Sequence, residues 1–303
     1  MTTDSYYGRP IVKEPVWTPA VAVYLFTGGI AGGSSVLHGV ARLTGNERLA
    51  RSTLWIGVAA EALCPPLLIS DLGRPERFFN LFRVYKVTSP LSVGSWILAF
   101  SGGASMSAAA LEHLRLLRPV KELAELVWFV SGPPLATYTG ALLANTAIPV
   151  WSEARDELPW AFGASATAAA GAAATIATPL SYAGPARRAA IGGAIAELGL
   201  VHAMERKLGF VGEVYKQDEA GTYAKVSKAL SAAGAVLLAA RGRRSRAAAA
   251  TGGALILGGS LALRWSVFKA GSQSARDPKY TVVPQKERLA TREAELRRAQ
   301  ATG

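Results

Sequence analysis

Tyrosines and carboxylic acids interrupt the apolar stretches of this 303-residue chain at a few positions. Tyr24, Glu61 and Tyr138 lie inside long apolar runs, and the run with Glu61 ends in the charged segment SDLGRPERFFN, residues 70–80. A tyrosine hydroxyl can donate a hydrogen bond to a carbonyl oxygen, and a carboxyl group in apolar surroundings can give or take a proton. These residue types indicate hydrogen bonding and proton exchange with a ligand in an apolar environment.

The composition of the chain is that of a membrane protein. Hydrophobic residues make up 50% of it and charged residues 18%, the mean hydropathy is +0.23, and the apolar residues form long blocks. The net charge of +12 comes from short basic clusters between those blocks, which lipid headgroups explain better than nucleic acid does. Residues 1–16 lack the order of a cleaved signal peptide, so the first apolar block is expected to remain as a span.

A bilayer core of about 30 Å needs about twenty helical residues for each crossing. The expected fold is therefore all-α, a polytopic integral membrane protein with eight transmembrane helices in two four-helix groups. The predicted spans are residues 17–40, 50–70, 90–112, 121–148, 157–180, 184–206, 222–240 and 247–269. The predicted divisions are an N-terminal tail (1–16), the first four helices (17–148), the second four (149–269) and a charged tail (270–303) that is either a short exposed helix or disordered.

An even number of spans places both termini on one face, named here side A, and the opposite face is side B. Side A carries the longer loops of mixed charge, among them residues 71–90 and 207–222, whereas side B has short connections such as RGRRSR, residues 241–246. Docking another protein requires surface, so side A is the predicted docking face. Glycines recur at TGGIAGG (27–33) and IGG (191–193), where close helix packing is favoured over a role in holding a cofactor.

Polar side chains from the first four spans are predicted to meet at one depth near side A. They comprise two phenols, three charged groups, an amide, a serine and a tryptophan: Tyr24, Tyr138, Asp71, Arg74, Arg77, Asn145, Ser95 and Trp96. Such a pocket suits a ligand with an apolar body and a few hydrogen-bonding oxygens. Arg74 and Arg77 are expected to form its rim through bidentate pairs with carboxylates, Asp71 among them; the alternative is an ordinary interfacial anchor.

Three ionisable residues lie deep in predicted spans, where a charge at the centre costs about 2.5–3.5 kcal/mol. Glu61 in span two is predicted to exchange protons with the pocket, and Pro65 and Pro66 just beyond it are expected to kink the helix. Glu197 in span six either pairs with a neighbour or belongs to a proton path. Arg264 in span eight is expected to snorkel to the headgroups on side A.

Four motifs resemble the membrane subunits of the NrfD and polysulfide-reductase family: YLFTGGIAGGSS (24–35), DLGRPERF (71–78), TSPLSVGSW (88–96) and TYTGALLANTAIPVW (137–151). The resemblance is good over about residues 15–152 and rests mainly on the number of spans beyond them. It implies a cofactor-free, eight-span subunit that takes a quinone, menaquinone or ubiquinone, as its substrate, with contacts at Tyr24 and Tyr138.

The same resemblance implies partners and a location. The quinone site would lie near the face where a four-cluster ferredoxin-like iron–sulfur subunit docks. That subunit would pass electrons to or from a catalytic subunit that contains molybdenum, tungsten or a similar centre. The expected location is the cytoplasmic (inner) membrane of a prokaryote.

Haem or metal bound by this chain is not expected. Cys64 is its single cysteine, which is too few for a thiolate-ligated cluster or a structural zinc site. The three histidines, His38, His113 and His202, form no obvious axial pair for haem. Two other classes stay open: a secondary transporter, although no inverted repeat is visible, and a purely structural membrane anchor.

Overall fold

The computed structural model describes residues 10–83 and 85–302, and the regular structure within them is helical. It consists, in chain order, of α1 (Pro19–Leu43), α2 (Glu47–Asp71), a first 3₁₀ segment (Pro75–Phe82), α3 (Pro90–Leu114), α4 (Arg118–Ala144), α5 (Pro149–Glu153), α6 (Leu158–Ala177), α7 (Gly184–Lys207), a second 3₁₀ segment (Val211–Lys216), α8 (Asp218–Arg241), α9 (Arg246–Arg276) and α10 (Lys279–Thr302).

A helix of 20 to 31 residues covers each of the eight predicted spans, and these helices are α1 to α4 and α6 to α9. Four of them, α1, α2, α4 and α9, are by length and composition apolar enough to cross a bilayer. The count of eight crossings therefore stays a prediction. In the C-terminal tail, the helical alternative is the one observed, because α10 is a helix of 24 residues.

Prolines and polar caps fix where several of the long helices begin. Pro19 and Pro90 occupy the first turns of α1 and α3, where a missing backbone N–H costs nothing. Asn46 and Ser245 cap α2 and α9 by accepting hydrogen bonds of 3.1 and 3.2 Å from backbone N–H groups three residues further along. These caps let α2 and α9 start directly after short turns on side B.

The long helices form two packed groups that share one boundary. In the first group α1 packs against α2 and α4, and α3 packs against α4; in the second, α6 packs against α7 and α9, and α8 against α9. Contacts of α6 with α1 and α4 join the groups.

Glycines permit the closest helix contacts. A Cβ atom on Gly33 would lie 2.5 Å from the carbonyl oxygen of Ala166, and one on Gly193 would lie 2.4 Å from the backbone nitrogen of Ala168. The close-packing interpretation is therefore confirmed for these two positions. Gly28 differs: it is buried, yet no heavy atom of a neighbouring element among the described residues lies within 4 Å of the position its Cβ would take.

Ion pairs connect the ends of the two groups on side A. Glu14, just before α1, pairs with Arg276 at the end of α9 at 2.6 Å, and Glu153 in α5 pairs with Arg288 in α10 at 2.8 Å. The first and the last of the eight long helices therefore meet at one end of the bundle. This position agrees with an even number of crossings, which places both ends on one face.

Candidate functional site

A cavity of about 190 Å³ runs between α2, α3 and the first 3₁₀ segment, from side A toward the middle of the bundle. On α2 it is lined by Glu61, Pro65 and Leu68, whose spacing places them on one face of the helix. Pro65 and Pro66 lie inside α2, which continues past them to Asp71. Because proline has no N–H, the carbonyl oxygens of Glu61 and Ala62 lack their usual helical donors.

The rest of the cavity wall is apolar or small. The α3 side consists of Ser95, Leu98, Ala99, Gly102, Gly103 and Met106. Phe78 and Phe82 of the 3₁₀ segment close the side-A end, with ring centroids 5.4 Å apart, and Phe82 also contacts Trp96 at 5.9 Å. The segment that interrupts the apolar sequence after α2 is thus an aromatic roof over this cavity.

Glu61 is the one ionisable residue that lines the cavity among the described residues. Its side chain is 1% exposed, and its carboxylate accepts hydrogen bonds from Ser101 Oγ at 2.5 Å, from Ser105 Oγ and from Trp128 Nε1 at 3.2 Å. Three donors from α3 and α4 therefore satisfy a carboxylate that would otherwise be costly to bury.

Tyr24 and Tyr138 are buried and do not themselves line the cavity. Their hydroxyl groups share a hydrogen bond between α1 and α4, and both side chains belong to the same buried cluster as Leu98, which lines the cavity. The ring of Tyr138 packs against Gly94, where a Cβ would lie 1.9 Å from its Cε2 atom. Glycine at position 94 is thus what gives Tyr138 its place against α3.

The charged rim differs from the expectation. The Asp71 carboxylate accepts a hydrogen bond of 2.6 Å from the backbone N–H of Thr18, which precedes α1. Arg74 and Arg77 are exposed and make no ion pair within the described part of the chain. The predicted pairing of these arginines with Asp71 is not observed among the described residues; Asp71 Oδ1 accepts the backbone N–H of Thr18 from the segment before α1.

Asn145 and Trp96 lie in different places relative to the cavity. Asn145 is exposed, donates from Nδ2 to the carbonyl oxygen of Ala141 at 2.8 Å, and lines a separate cleft on side A with Asp156 and Arg288. Trp96 packs against the roof, and its Nε1 has no partner within the described residues. The structure therefore brings Glu61 and Ser95 into one cavity, places Trp96 against its roof, and leaves the tyrosine pair and Asn145 outside its lining.

A family model described as polysulphide reductase, NrfD, matches residues 11–272 of the chain. The chain belongs to the NrfD family. A search of curated proteins returns no match. As an NrfD family member the protein is a multi-pass membrane protein and a membrane subunit of an oxidoreductase complex.

The second helix group of this NrfD protein contains another buried carboxylate. Glu197 in α7 is 1% exposed and accepts hydrogen bonds from Ser231 Oγ at 2.8 Å and Ser260 Oγ at 3.2 Å. Of the two alternatives for this residue, pairing with neighbours describes its contacts. The space beside it amounts to about 10 Å³, on the order of a single water.

Arg264 lies one helical turn beyond Ser260 on α9 and is 2% exposed. It donates from Nη2 to the carbonyl oxygen of Phe162 at 3.0 Å and from Nε to that of Leu25 at 3.3 Å, and its guanidinium lies 3.7 Å above the centre of the Phe162 ring. The expectation that it snorkels to the membrane surface is wrong. Backbone carbonyls of α1 and α6 and an aromatic face solvate the cation where the two groups meet.

Several residues of the NrfD site were not found from the sequence. Ser101, Ser105 and Trp128 bind Glu61, and the spacing of the two serines by four residues was the signal that they share a face of α3. The sequence could not show that this face meets α2. Within the described residues, no group of three or more His, Cys, Asp and Glu side chains is arranged to hold a metal ion.

Proposed function

We propose that this protein is the quinone-reactive membrane subunit of its oxidoreductase complex. It exchanges electrons between a docked iron–sulfur subunit and the quinone pool of a prokaryotic inner membrane, and it takes part in the accompanying proton transfer. The observation that carries the proposal is the apolar cavity of about 190 Å³ that ends on the buried carboxylate of Glu61. Membership of the NrfD family supplies the redox setting.

The volume and the lining of the cavity support the binding of a quinone ring. The ring is flat and mostly apolar, and its reduction to the quinol adds two electrons and two protons, one proton to each ring oxygen. In the proposed mechanism the electrons come from the docked subunit, the carboxyl group of Glu61 exchanges one proton with the nearer ring oxygen, and the other ring oxygen exchanges its proton with water. Ser101, Ser105 and Trp128 hold that carboxyl group in position for the transfer.

The tyrosine pair supplies the second part of the proposed site. Tyr138 lies against Gly94, next to Ser95 of the cavity wall, and its hydroxyl is bonded to that of Tyr24. We propose that the Tyr138 hydroxyl turns from Tyr24 to donate to the other ring oxygen. The unfilled space beside Gly28, one turn along α1 from Tyr24, supports such a movement.

Side A is the proposed docking face for a four-cluster ferredoxin-like iron–sulfur subunit, which in turn serves a catalytic subunit with molybdenum, tungsten or a similar centre. The aromatic roof of the cavity lies on this face, so an electron donor bound there would approach the ring closely. Two polar clefts of about 560 and 710 Å³ also lie on it, one between Glu14 and Arg276 and one between α10 and residues 207–211. Crosslinks to the partner should map to residues 71–90 and 207–222; crosslinks confined to residues 241–246 would place docking on side B.

The test is a Glu61→Gln variant in the assembled complex, with Glu197→Gln as the matched control. Glutamine keeps the size of the side chain but cannot exchange a proton. We expect Glu61→Gln to lower quinone-linked turnover by about 100-fold, within the range for loss of a general acid or base, while electron transfer to a soluble artificial acceptor persists. Quinone-linked turnover in Glu61→Gln equal to that of the wild type would refute the proposal.

A further inference from the structure

One wall of the cavity beside Glu61 lacks side chains. Gly102 and Gly103 of α3 both line it, and no heavy atom of a neighbouring element among the described residues lies within 4 Å of the position of a Cβ on either glycine. Gly94, two turns earlier on the same helix, has its Cβ position filled by the Tyr138 ring. The glycine pair therefore borders open space, whereas Gly94 serves helix packing.

The volume of the cavity limits what it can enclose. Pockets that bury a whole drug-sized ligand measure about 300–1,000 Å³, and this cavity measures about 190 Å³. That volume suits a quinone ring and excludes a long isoprenoid tail. A tailed quinone with its ring at Glu61 must therefore extend its tail out of the cavity.

The direction of that exit follows from the burial of the walls. Leu98 is buried on the bundle side, and Phe78 and Phe82 close the side-A end. Gly103 is exposed, as is Met106 one turn further on, so the wall they form faces away from the bundle. In addition, α2 packs mainly against α1 and α3 mainly against α4, which leaves the seam between α2 and α3 the more open one.

We propose that Gly102 and Gly103 form a lateral doorway through which the isoprenoid tail of a quinone passes from the cavity into the hydrocarbon core of the bilayer. The missing side chains set the width of the opening, so this pair lets the site accept tailed, membrane-dissolved substrates. The inference rests on the proposed function and adds to it the route of the substrate and the residues that control it.

The test compares Gly102→Leu and Gly103→Leu, singly and together, with Gly192→Leu and Gly199→Leu on α7. Like Gly103, the control glycines are exposed and have no heavy atom of a neighbouring element within 4 Å of their Cβ positions among the described residues, but they do not line the cavity. Turnover of the assembled complex is measured with a tailed menaquinone and with menadione, which has the same ring and no tail. If the complex uses ubiquinone, ubiquinone and its tail-less analogue replace them.

We expect Gly103→Leu, at the exposed edge of the wall, to raise KM for the tailed quinone about tenfold or more and to raise KM for the tail-less one much less. The control variants should change neither. Equal losses with both quinones would overturn the doorway, since the leucines would then be filling the ring site. Unchanged kinetics, or loss of complex assembly in the doorway variants alone, would also overturn it, the latter because the glycines would then be a packing surface.

A second variant tests the doorway without relying on the leucine variants to fold. Gly103→Cys adds one small side chain, and the native Cys64 is buried, so a bulky maleimide added to the assembled complex should label only the new thiol of this chain. Labelling should block the tailed quinone and spare the tail-less one, with the labelled wild-type complex as the control. If labelling does not selectively block the tailed quinone, the doorway is contradicted, but the proposed function is not. A wild-type complex that turns over no quinone would instead reject the proposed function.

Discussion

The two buried glutamates of this protein have similar partners and different surroundings. Glu61 in the first helix group and Glu197 in the second are each 1% exposed, and each accepts hydrogen bonds from two serines. Glu61 borders a cavity of about 190 Å³, whereas the space beside Glu197 is about 10 Å³. A buried carboxylate is therefore not enough to identify a ligand site; space for a ligand beside it makes the difference.

The difference arises from how neighbouring helices meet. In the second group, α9 packs closely along α8, and glycines bring their backbones together: a Cβ on Gly259 would lie 2.4 Å from Ser231 Oγ. In the first group, α2 and α3 are joined by the long aromatic segment Pro75–Phe82 instead of a short turn, and this segment roofs the gap between them. The connection after α2 thus provides the space that the second group lacks.

After replacement of the two glutamates themselves, paired serine variants should give the largest difference in turnover between the two regions. We expect Ser101→Ala with Ser105→Ala to lower quinone-linked turnover at least tenfold, because Glu61 loses two of its donors, each worth about 1–3 kcal/mol to a buried group. Ser231→Ala with Ser260→Ala should lower the thermal stability of the complex and leave turnover within about twofold. Both pairs are compared by quinone-linked turnover and by a melting curve. A fall in turnover in the second pair as large as in the first would end the distinction between the two regions.

Replacing one buried tyrosine in each region by phenylalanine should give a somewhat smaller difference in quinone-linked turnover. Tyr138→Phe should slow quinone-linked turnover about tenfold, the effect of losing one hydrogen bond of about 1.4 kcal/mol to the substrate. Tyr215 in the second 3₁₀ segment is the matched control, since it is also buried and its hydroxyl has no partner among the described residues. Tyr215→Phe should leave turnover unchanged and stability equal or slightly higher. The proposed role of Tyr138 fails if both variants behave alike.

The sequence predicted the helices well and the partners of the buried charges poorly. Apolar blocks of about twenty residues placed the helices α1 to α4 and α6 to α9, because this signal is local. Glu61 stood out because a carboxyl group in an apolar run is costly, but its donors come from α3 and α4, and a single sequence does not say which helix faces meet. The error on Arg264 has the same origin: the carbonyl oxygens of Leu25 and Phe162 that accept its hydrogen bonds lie 239 and 102 residues away in the chain.

Changes in the aromatic roof should have a moderate effect on the first region. Phe82→Leu removes ring contacts with Phe78 and Trp96, so we expect KM for quinone to rise about threefold with little change in kcat, the pattern of weakened substrate binding. Phe210→Leu on side A of the second group, where the ring contacts Tyr280 at 5.5 Å, is the control and should leave KM unchanged. A rise in KM for Phe210→Leu as well would show that side A as a whole, and not the roof, controls access.

The smallest effect is expected at Asp71, where a backbone hydrogen bond from Thr18 is observed in place of the predicted ion pairs. Asp71→Asn keeps an oxygen that can accept from the Thr18 N–H and loses only the charge, so it should cost about 1 kcal/mol or less of stability at this half-exposed site. Asp71→Ala removes the acceptor and should cost about 1–2 kcal/mol, because the segment before α1 loses its attachment to the end of α2.

Glu153→Gln, which weakens the contact with Arg288 on the same face, is the matched variant in the second region. Melting curves and quinone-linked turnover of the three complexes are compared, and turnover should stay within about twofold of wild type in each, since none of these groups lines the cavity. A large loss of turnover in Asp71→Asn alone would mean that its charge acts on the cavity, and the boundary of the site would then extend to the end of α2.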